Sequence, residues 1–167
     1  MIAQNFEYLV PTSLGDAVNL LQKYAGRAKV VAGGHSLIPM MKLRLAAPEF
    51  LIDIGRIPEL SYVKEDSGKI RLGALTTHHT VNTSDAIRRR LSALADAAGL
   101  IGDIQVRNKG TIRGSLAHAD PAADYPAALL ALGATIVTNK RDIAADDFFK
   151  GLFETALDES EIVTAVT

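Results

Sequence analysis

The 167-residue sequence contains no cysteine and no tryptophan. Without cysteine, the chain cannot form a disulfide, use a catalytic thiolate, or ligate a zinc finger or an iron–sulfur cluster through its own thiolates. It also lacks a surplus of either charge, because 18 Lys and Arg oppose 19 Asp and Glu for a formal net charge of −1. No basic excess is therefore available to neutralise nucleic-acid phosphates, and we expect no nucleic-acid partner.

Long apolar runs and a targeting segment are missing as well. No apolar stretch approaches the ~20 residues of a membrane span. The opening "MIAQNFEYLVPTSLGDA" lacks the basic and apolar regions of a signal peptide. We therefore expect a cytoplasmic protein without a membrane span.

Candidate catalytic and metal-binding side chains are few. No two of the four histidines have the i, i+4 spacing of a helical metal site, and neither a nucleophile elbow nor an acid–base pair is evident. Any redox or group-transfer chemistry is therefore expected to belong to a bound cofactor rather than to the side chains.

The first third of the chain has the pattern of a compact βαβ unit. Ser13 is a favourable N-cap with Asp16 in the capping-box position, and Gly26 suits the end of that helix. Strands are predicted at 28–32 and 50–54. Between them the sequence predicts a helix that Ser36 caps, that carries Pro39 in its first turn, and that Pro48 ends.

The remainder has a different pattern, which places a lobe boundary between residues 56 and 57. The predicted lobes are a small α/β lobe at 1–56 and a larger α+β lobe at 57–167. The larger lobe is expected to contain a hairpin turning at 66–68, a helix at 84–101 capped by Ser84, a helix near Tyr125 capped by Asp124, a strand pair around 139–141 and a final strand at 160–167. A strand that runs to the last residue favours a truncated or processed chain.

The stretch "AGGHS" at 32–36 follows a strand and precedes a helix. Its glycines allow positive φ and close approach of a ligand, and successive N–H groups in such a turn can bind an anion. A strand-to-helix turn that binds nothing explains the same residues. The pattern matches neither a dinucleotide-binding Rossmann motif nor a P-loop.

A second glycine-bearing stretch, "NKGTIRGSLAHADPAAD" at 108–124, repeats the pattern. Gly110, Thr111, Gly114 and Ser115 supply flexible backbone and hydroxyl groups, while Asp124 can serve as an N-cap, as a partner of a ribose hydroxyl, or as both. Two such stretches in one small chain favour a long, doubly phosphorylated ligand held between the lobes.

These residues also resemble a known family. The stretches "KVVAGGHSLIPMMKLRLAAPEFLIDI" and "IGDIQVRNKGTIRGSLAHADPAADYPAALLALGA" are similar to the FAD-binding medium subunits of the molybdenum hydroxylases, which include carbon monoxide dehydrogenase and xanthine dehydrogenase. The likeness covers essentially the whole chain. It implies the two-lobed α+β FAD-binding domain of the vanillyl-alcohol oxidase (PCMH) type, here without the family's C-terminal lobe.

The resemblance also implies which residues contact FAD. The first loop would contribute Lys29, Val30, Val31, Ala32, Gly33, Gly34, His35 and Ser36. The second loop would contribute Gly110, Thr111, Gly114, Ser115 and Ala117. Asp124 would contact the nucleotide, and Ile101 and Ile162 would be apolar positions beside the flavin.

The function implied by the resemblance is electron transfer. A large molybdopterin-binding subunit would oxidise substrate, a small subunit would carry two [2Fe–2S] clusters, and FAD on this chain would pass the electrons to an external acceptor. Arg113 departs from the family pattern, since a glycine is usual there. It would be strained if its φ were positive, or it could lie along the pyrophosphate. Two alternatives stay open: a flavin-free module that only assembles with partners, and, with less support, a free-standing flavin oxidase.

Overall fold

Three parallel strands form the first sheet of the computed structural model, which describes residues 2–167. Strands β1 (Glu7–Leu9), β2 (Ala28–Val31) and β3 (Phe50–Asp53) lie in the order β1-β3-β2. Helix α1 (Leu14–Lys23) joins β1 to β2, and α2 (Leu37–Lys42) joins β2 to β3. The Ser13 hydroxyl accepts a hydrogen bond from the Asp16 N–H at 3.1 Å, so the predicted cap is confirmed.

Five antiparallel strands form the second sheet. They lie in the order β4-β5-β10-β6-β7, and a two-stranded ribbon, β8-β9, stands apart. Their bounds are β4 Val63–Asp66, β5 Lys69–Gly73, β6 Thr135–Thr138, β7 Asp142–Ala144, β8 Phe149–Gly151, β9 Glu154–Thr155 and β10 Val163–Val166. The predicted hairpin is confirmed, since Ser67 and Gly68 at its turn have φ of 49° and 82°, as a tight two-residue turn requires. The strand pair around 139–141 is also confirmed.

Short helices cover this sheet. They are α3 His78–Thr83, α4 Asp85–Arg90, α5 Ser92–Leu100, α6 Ile104–Lys109, α7 Ile112–His118, α8 Tyr125–Ala131 and α9 Ala145–Phe148, with a 3-10 turn at Pro58–Leu60. The prediction of one helix over 84–101 was wrong, because the backbone at Leu91 (φ −134°, ψ 52°) divides it into α4 and α5. The buried side chains Ile87 and Leu94 belong to the two separate pieces, so the apolar stripe that suggested one helix is shared between them.

Several predicted helix ends also differ. Helix α2 ends at Lys42, well before Pro48, and Arg44 just beyond it has a φ of 60°. Ser36, Ser84 and Asp124 occupy N-cap positions, yet none of them makes a side-chain cap hydrogen bond. Asp124 has helical dihedral angles (φ −76°, ψ −30°), which differ from the extended backbone of a typical N-cap.

Two main apolar clusters, one smaller and one larger, hold the molecule together, and Val31, Met41 and Leu51 form a minor third. The smaller cluster packs α1 and β3, through side chains such as Leu21 and Ile52, against Leu75 and Ile162 from later in the chain. The larger cluster packs the helices onto the five-stranded sheet around Ile112 and Tyr125. The boundary after residue 56 stays a prediction. Among residues 2–167, no helix combines the length and the apolar character needed to cross a membrane.

Candidate functional site

The two glycine-bearing stretches touch each other at Gly33. A Cβ atom on Gly33 would lie 2.2 Å from the Lys109 carbonyl oxygen and 2.7 Å from the Gly110 Cα, which are both backbone atoms. No side chain fits at that distance, so glycine is required for the contact. The close approach brings the segment after β2 against the segment between α6 and α7.

A cleft of about 780 Å³ opens along this contact. All but one of the residues predicted to contact FAD line it. They are Lys29, Val30, Val31, Ala32, Gly33, Gly34, His35, Ser36, Ile101, Gly110, Thr111, Gly114, Ser115, Ala117 and Asp124. The exception is Ile162, whose fully buried side chain belongs to the smaller apolar cluster.

The first loop presents free backbone donors to the cleft. Gly34 has a φ of 75°, and among residues 2–167 the N–H groups of Gly34, His35 and Ser36 have no protein acceptor. The His35 ring holds the turn, because its Nδ1 donates to the Gly33 carbonyl at 2.9 Å. Successive N–H groups without an acceptor on such a turn form a backbone concavity that can bind an anion.

The second stretch is not a flexible loop, contrary to the prediction, because residues 112–118 form helix α7. The N–H groups of Ile112 and Arg113 donate to the carbonyl oxygens of Thr76 (3.0 Å) and Ala74 (3.1 Å). Thr111 is the N-cap, and its hydroxyl accepts from the Gly114 N–H at 3.1 Å. The backbone donors at 112–114 are therefore already used, and only side chains remain to meet a ligand.

A buried histidine supports this second stretch. His78 Nδ1 lies 2.9 Å from the Tyr125 hydroxyl, and a Cβ on Gly110 would lie 2.5 Å from His78 Nε2. Burial lowers the pKa of His78 to about 4, with a smaller contribution from His35, so the ring is neutral at pH 7. Burial also raises the pKa of Tyr125, and the Asp124 carboxylate adds to that shift. Sequence reasoning missed this pair, because it belongs to no motif and its two residues are 47 positions apart in the sequence.

Arg113 is buried in the first turn of α7 with 6% of its surface exposed, and it lines the cleft. Its backbone is helical and is not among the positive-φ positions of residues 2–167, so the strain considered for this position is absent. The Nε atom is buried without a hydrogen-bond partner. Burial lowers the pKa of the guanidinium to about 10, which leaves it charged at neutral pH.

Glu161 lies at the same cleft but is fully bonded. Its carboxylate accepts from Arg141 through Nε and Nη2 (both 3.1 Å), from the Thr138 hydroxyl (2.7 Å) and from the Asp158 N–H (3.0 Å). Burial alone would raise the pKa of this carboxyl, but those bonds outweigh it and hold the pKa at about 2. Glu161 is therefore an ionised structural group rather than a proton donor.

Two aromatic side chains at the cleft, His118 and Phe153, are not among the residues predicted to contact FAD. The His118 and Phe153 rings lie 5.1 Å apart, and the Phe153 N–H donates to the Ala119 carbonyl at 3.0 Å. Phe153 is 57% exposed at the turn between β8 and β9, with a φ of 57°. The exposed Phe153 ring gives the cleft an apolar face on which a flat ring system can lie.

The glycine contact and the free N–H groups at this cleft are features of a protein that binds a nucleotide-type cofactor. More specifically, the chain belongs to the family described as the FAD binding domain in molybdopterin dehydrogenase, which matches residues 4–167. This match confirms the predicted resemblance, the fold class and FAD as the cofactor. The residues fit that cofactor, since three free N–H groups and an unpartnered buried guanidinium face one cleft.

Known proteins show the same similarity. The carbon monoxide dehydrogenase medium chain of Hydrogenophaga pseudoflava is 46% identical over 170 residues, which cover 99% of this chain and 59% of that protein. The glyceraldehyde dehydrogenase medium chain of Sulfolobus acidocaldarius is 41% identical, and the matched residues cover 99% of this chain and 60% of that protein. A solved structure of the Hydrogenophaga carbon monoxide dehydrogenase lacking its Mo-pyranopterin moiety superposes with a TM-score of 0.97 at 47% identity, again covering 99% of this chain and 59% of that one. The chain thus spans about three fifths of these relatives.

Proposed function

We propose that this chain is the FAD-binding electron-transfer part of a molybdenum–iron–sulfur–flavin dehydrogenase. Electrons would arrive from [2Fe–2S] clusters of a partner chain and leave through FAD to an external acceptor. The observation that carries this proposal is the cleft, where the two glycine-bearing segments meet at Gly33 and present anion-binding donors. FAD, when bound, supplies the redox chemistry that amino-acid side chains lack.

The chain's own residues bind and orient the cofactor in this proposal. The N–H groups of Gly34, His35 and Ser36 bind a phosphate of the pyrophosphate. The Asp124 carboxylate, which makes no hydrogen bond within residues 2–167, accepts from a ribose hydroxyl. Ile101 and Ala117 contribute apolar lining. Ile162 supports the site from the core behind it rather than by direct contact.

Substrate oxidation is assigned to other subunits. Within residues 2–167 no group of three or more His, Asp or Glu side chains could hold a metal ion, and the sequence has no cysteine for an iron–sulfur cluster. We therefore propose a large molybdopterin-binding subunit and a small [2Fe–2S] subunit as partners. The backbone at Arg113 is helical and carries none of the strain considered for that position, so it gives no support to the flavin-free alternative. A cytoplasmic location stays a prediction.

A flavin titration tests this function. The purified chain, together with any subunits that accompany it, is stripped of flavin and titrated with FAD while flavin fluorescence is followed. We expect saturable binding of one FAD per chain, and bleaching of the flavin absorbance when a reduced iron–sulfur partner is added.

A matched pair of glycine variants controls the titration. Gly33→Val forces the two segments apart and should abolish binding, whereas Gly15→Ala in α1, where a Cβ meets only the Ser13 hydroxyl at 3.8 Å, should leave it intact. No saturable binding by the unaltered protein would refute the proposal. Capture of partner chains without flavin would instead support the assembly module.

A further inference from the structure

We infer that the Arg113 side chain is an anion-pairing contact for the pyrophosphate of FAD, placed on the second segment opposite the free N–H groups of the first. The inference rests on the proposed function, since it takes the bound ligand to be FAD. It adds a residue at a position where the resemblance described above implies a glycine. Arg113 is here a cofactor-positioning residue.

The first observation is that this buried cation has no partner. Arg27, Arg90 and Arg141 each form an ion pair with a glutamate, and their side chains are 42 to 53% exposed. Arg113 is the buried arginine, yet within residues 2–167 its guanidinium forms neither an ion pair nor a hydrogen bond. An unpaired buried charge is unfavourable, so a counter-anion is expected to join it.

The second observation is that no carboxylate of residues 2–167 forms an ion pair with Arg113, and several carboxylates at the cleft have other partners. Glu161 is bonded by Arg141, Thr138 and the Asp158 N–H. Asp158 accepts from Lys140, and Asp120 accepts from the Ala122 N–H. No carboxylate contributes to the charge state of Arg113, whose pKa is perturbed by burial alone. The counter-anion must therefore come from a bound molecule or from chain beyond the described residues.

The third observation explains why an arginine is useful at this position. The N–H groups of 112–114 are used by Thr76, Ala74 and the Thr111 hydroxyl, so this wall of the cleft has no free backbone donor there. A guanidinium provides up to five N–H donors in a planar fork that matches phosphate oxygens. The first segment then offers N–H groups and Arg113 offers a cation. Two separate anion-binding groups suit two linked phosphates better than a single phosphate.

Ligand truncation tests the inference. The protein, with any accompanying subunits, is stripped of flavin and titrated with FAD, ADP and riboflavin, for the wild type and for Arg113→Gln, Arg113→Lys and the exposed control Arg88→Gln. We expect Arg113→Gln to weaken FAD and ADP about 10- to 100-fold, as loss of a charge-assisted hydrogen bond does. Riboflavin, which has no phosphate, should bind all variants equally. Arg113→Lys should fall between the wild type and Arg113→Gln, because a point charge remains.

Thermal unfolding of the flavin-free protein separates ligand pairing from a structural role. Removing an unpaired buried charge should leave the melting temperature of Arg113→Gln unchanged or higher, while a purely structural arginine would lower it. If Arg113→Gln does not fold, FAD binding by Arg113→Lys and by the wild type is compared at several salt concentrations instead. The inference is overturned if Arg113→Gln binds FAD and ADP like the wild type, or if it weakens riboflavin to the same extent. Failure of the wild type itself to bind FAD would instead sink the proposed function.

Discussion

The two segments that line the cleft look alike in sequence, since both combine glycines with hydroxyl residues, but they are built differently. The first, 32–36, is a partly exposed turn in which Gly34 has a positive φ and three N–H groups have no acceptor within residues 2–167. The second, 110–115, is a largely buried helix start, and its backbone donors at 112–115 are satisfied internally. A glycine-rich stretch can therefore serve either as a binding backbone or as a tightly packed support, and only three-dimensional contacts distinguish the two.

The largest expected effect comes from separating the segments at Gly33. Because a Cβ would collide with the Lys109 carbonyl oxygen, which cannot swing away as a side chain does, Gly33→Ala should lower the free energy of unfolding by about 3 kcal/mol or more. Urea denaturation of the flavin-free protein measures this, with Gly15→Ala as the control. An unfolding free energy within about 1 kcal/mol of the wild type would show that the contact is looser than described.

The second effect concerns the support behind Gly110 and appears as a dependence on pH. The folded-state pKa of His78 is about 4 against 6.5 in an unfolded chain, so the unfolded state takes up the proton first. The contribution of the neutral His78 ring to the free energy of unfolding is therefore fully present above pH 6.5 and is lost as the pH falls through 4. It amounts to about 3 kcal/mol at 1.36 kcal/mol per unit.

Unfolding curves between pH 8 and 4 for His78→Gln and the exposed control His79→Gln check this dependence. Gln does not titrate, so the slope between pH 6.5 and 4 should be reduced in His78→Gln and retained in His79→Gln. Equal slopes in both variants would assign the acid sensitivity to other groups.

The third effect contrasts one glycine from each segment. Gly34 has a φ of 75°, so Gly34→Ala should cost about 1–2 kcal/mol from backbone strain. Gly114 lies in a helical turn where an added Cβ would be 3.1 Å from the Thr111 hydroxyl, so Gly114→Ala should change the stability by less than about 1 kcal/mol. Thermal melts of the flavin-free variants measure the difference. The reverse order would contradict the distinction drawn between the two segments.

The smallest effect contrasts the two hydroxyl residues at helix starts. Thr111 caps α7 through the Gly114 N–H, and Thr111→Val should cost about 1 kcal/mol. Ser36 makes no cap bond, so Ser36→Ala should leave the stability of the flavin-free protein within about 0.5 kcal/mol of the wild type. If both substitutions cost the same in chemical denaturation, Ser36 must cap α2 in solution.

Local signals in the sequence predicted much of the fold. The Ser13 cap, the Ser67-Gly68 turn and the short apolar strands could be recognised because each depends on neighbouring residues. The break at Leu91 could not, since α4 and α5 share one apolar stripe and their separation depends on packing.

The candidate site divides in the same way. The loop at 32–36 could be found from its glycines and its position between a strand and a helix. The His78–Tyr125 contact and the burial of Arg113 could not, because they depend on packing between residues far apart along the chain. Of the two alternatives left open for Arg113, the strained backbone is excluded, because residues 112–118, interpreted as a loop, are helical.

The position of β10 has a consequence for biosynthesis. It pairs with both β5 and β6, so the hairpins β4-β5 and β6-β7 each keep an unsatisfied inner edge until residues 163–166 have emerged from the ribosome. Open strand edges are templates for association with other chains, and pairing across long sequence separations is slow. Rapid pairing of β10 therefore shortens the time during which the nascent protein exposes these two edges to other chains.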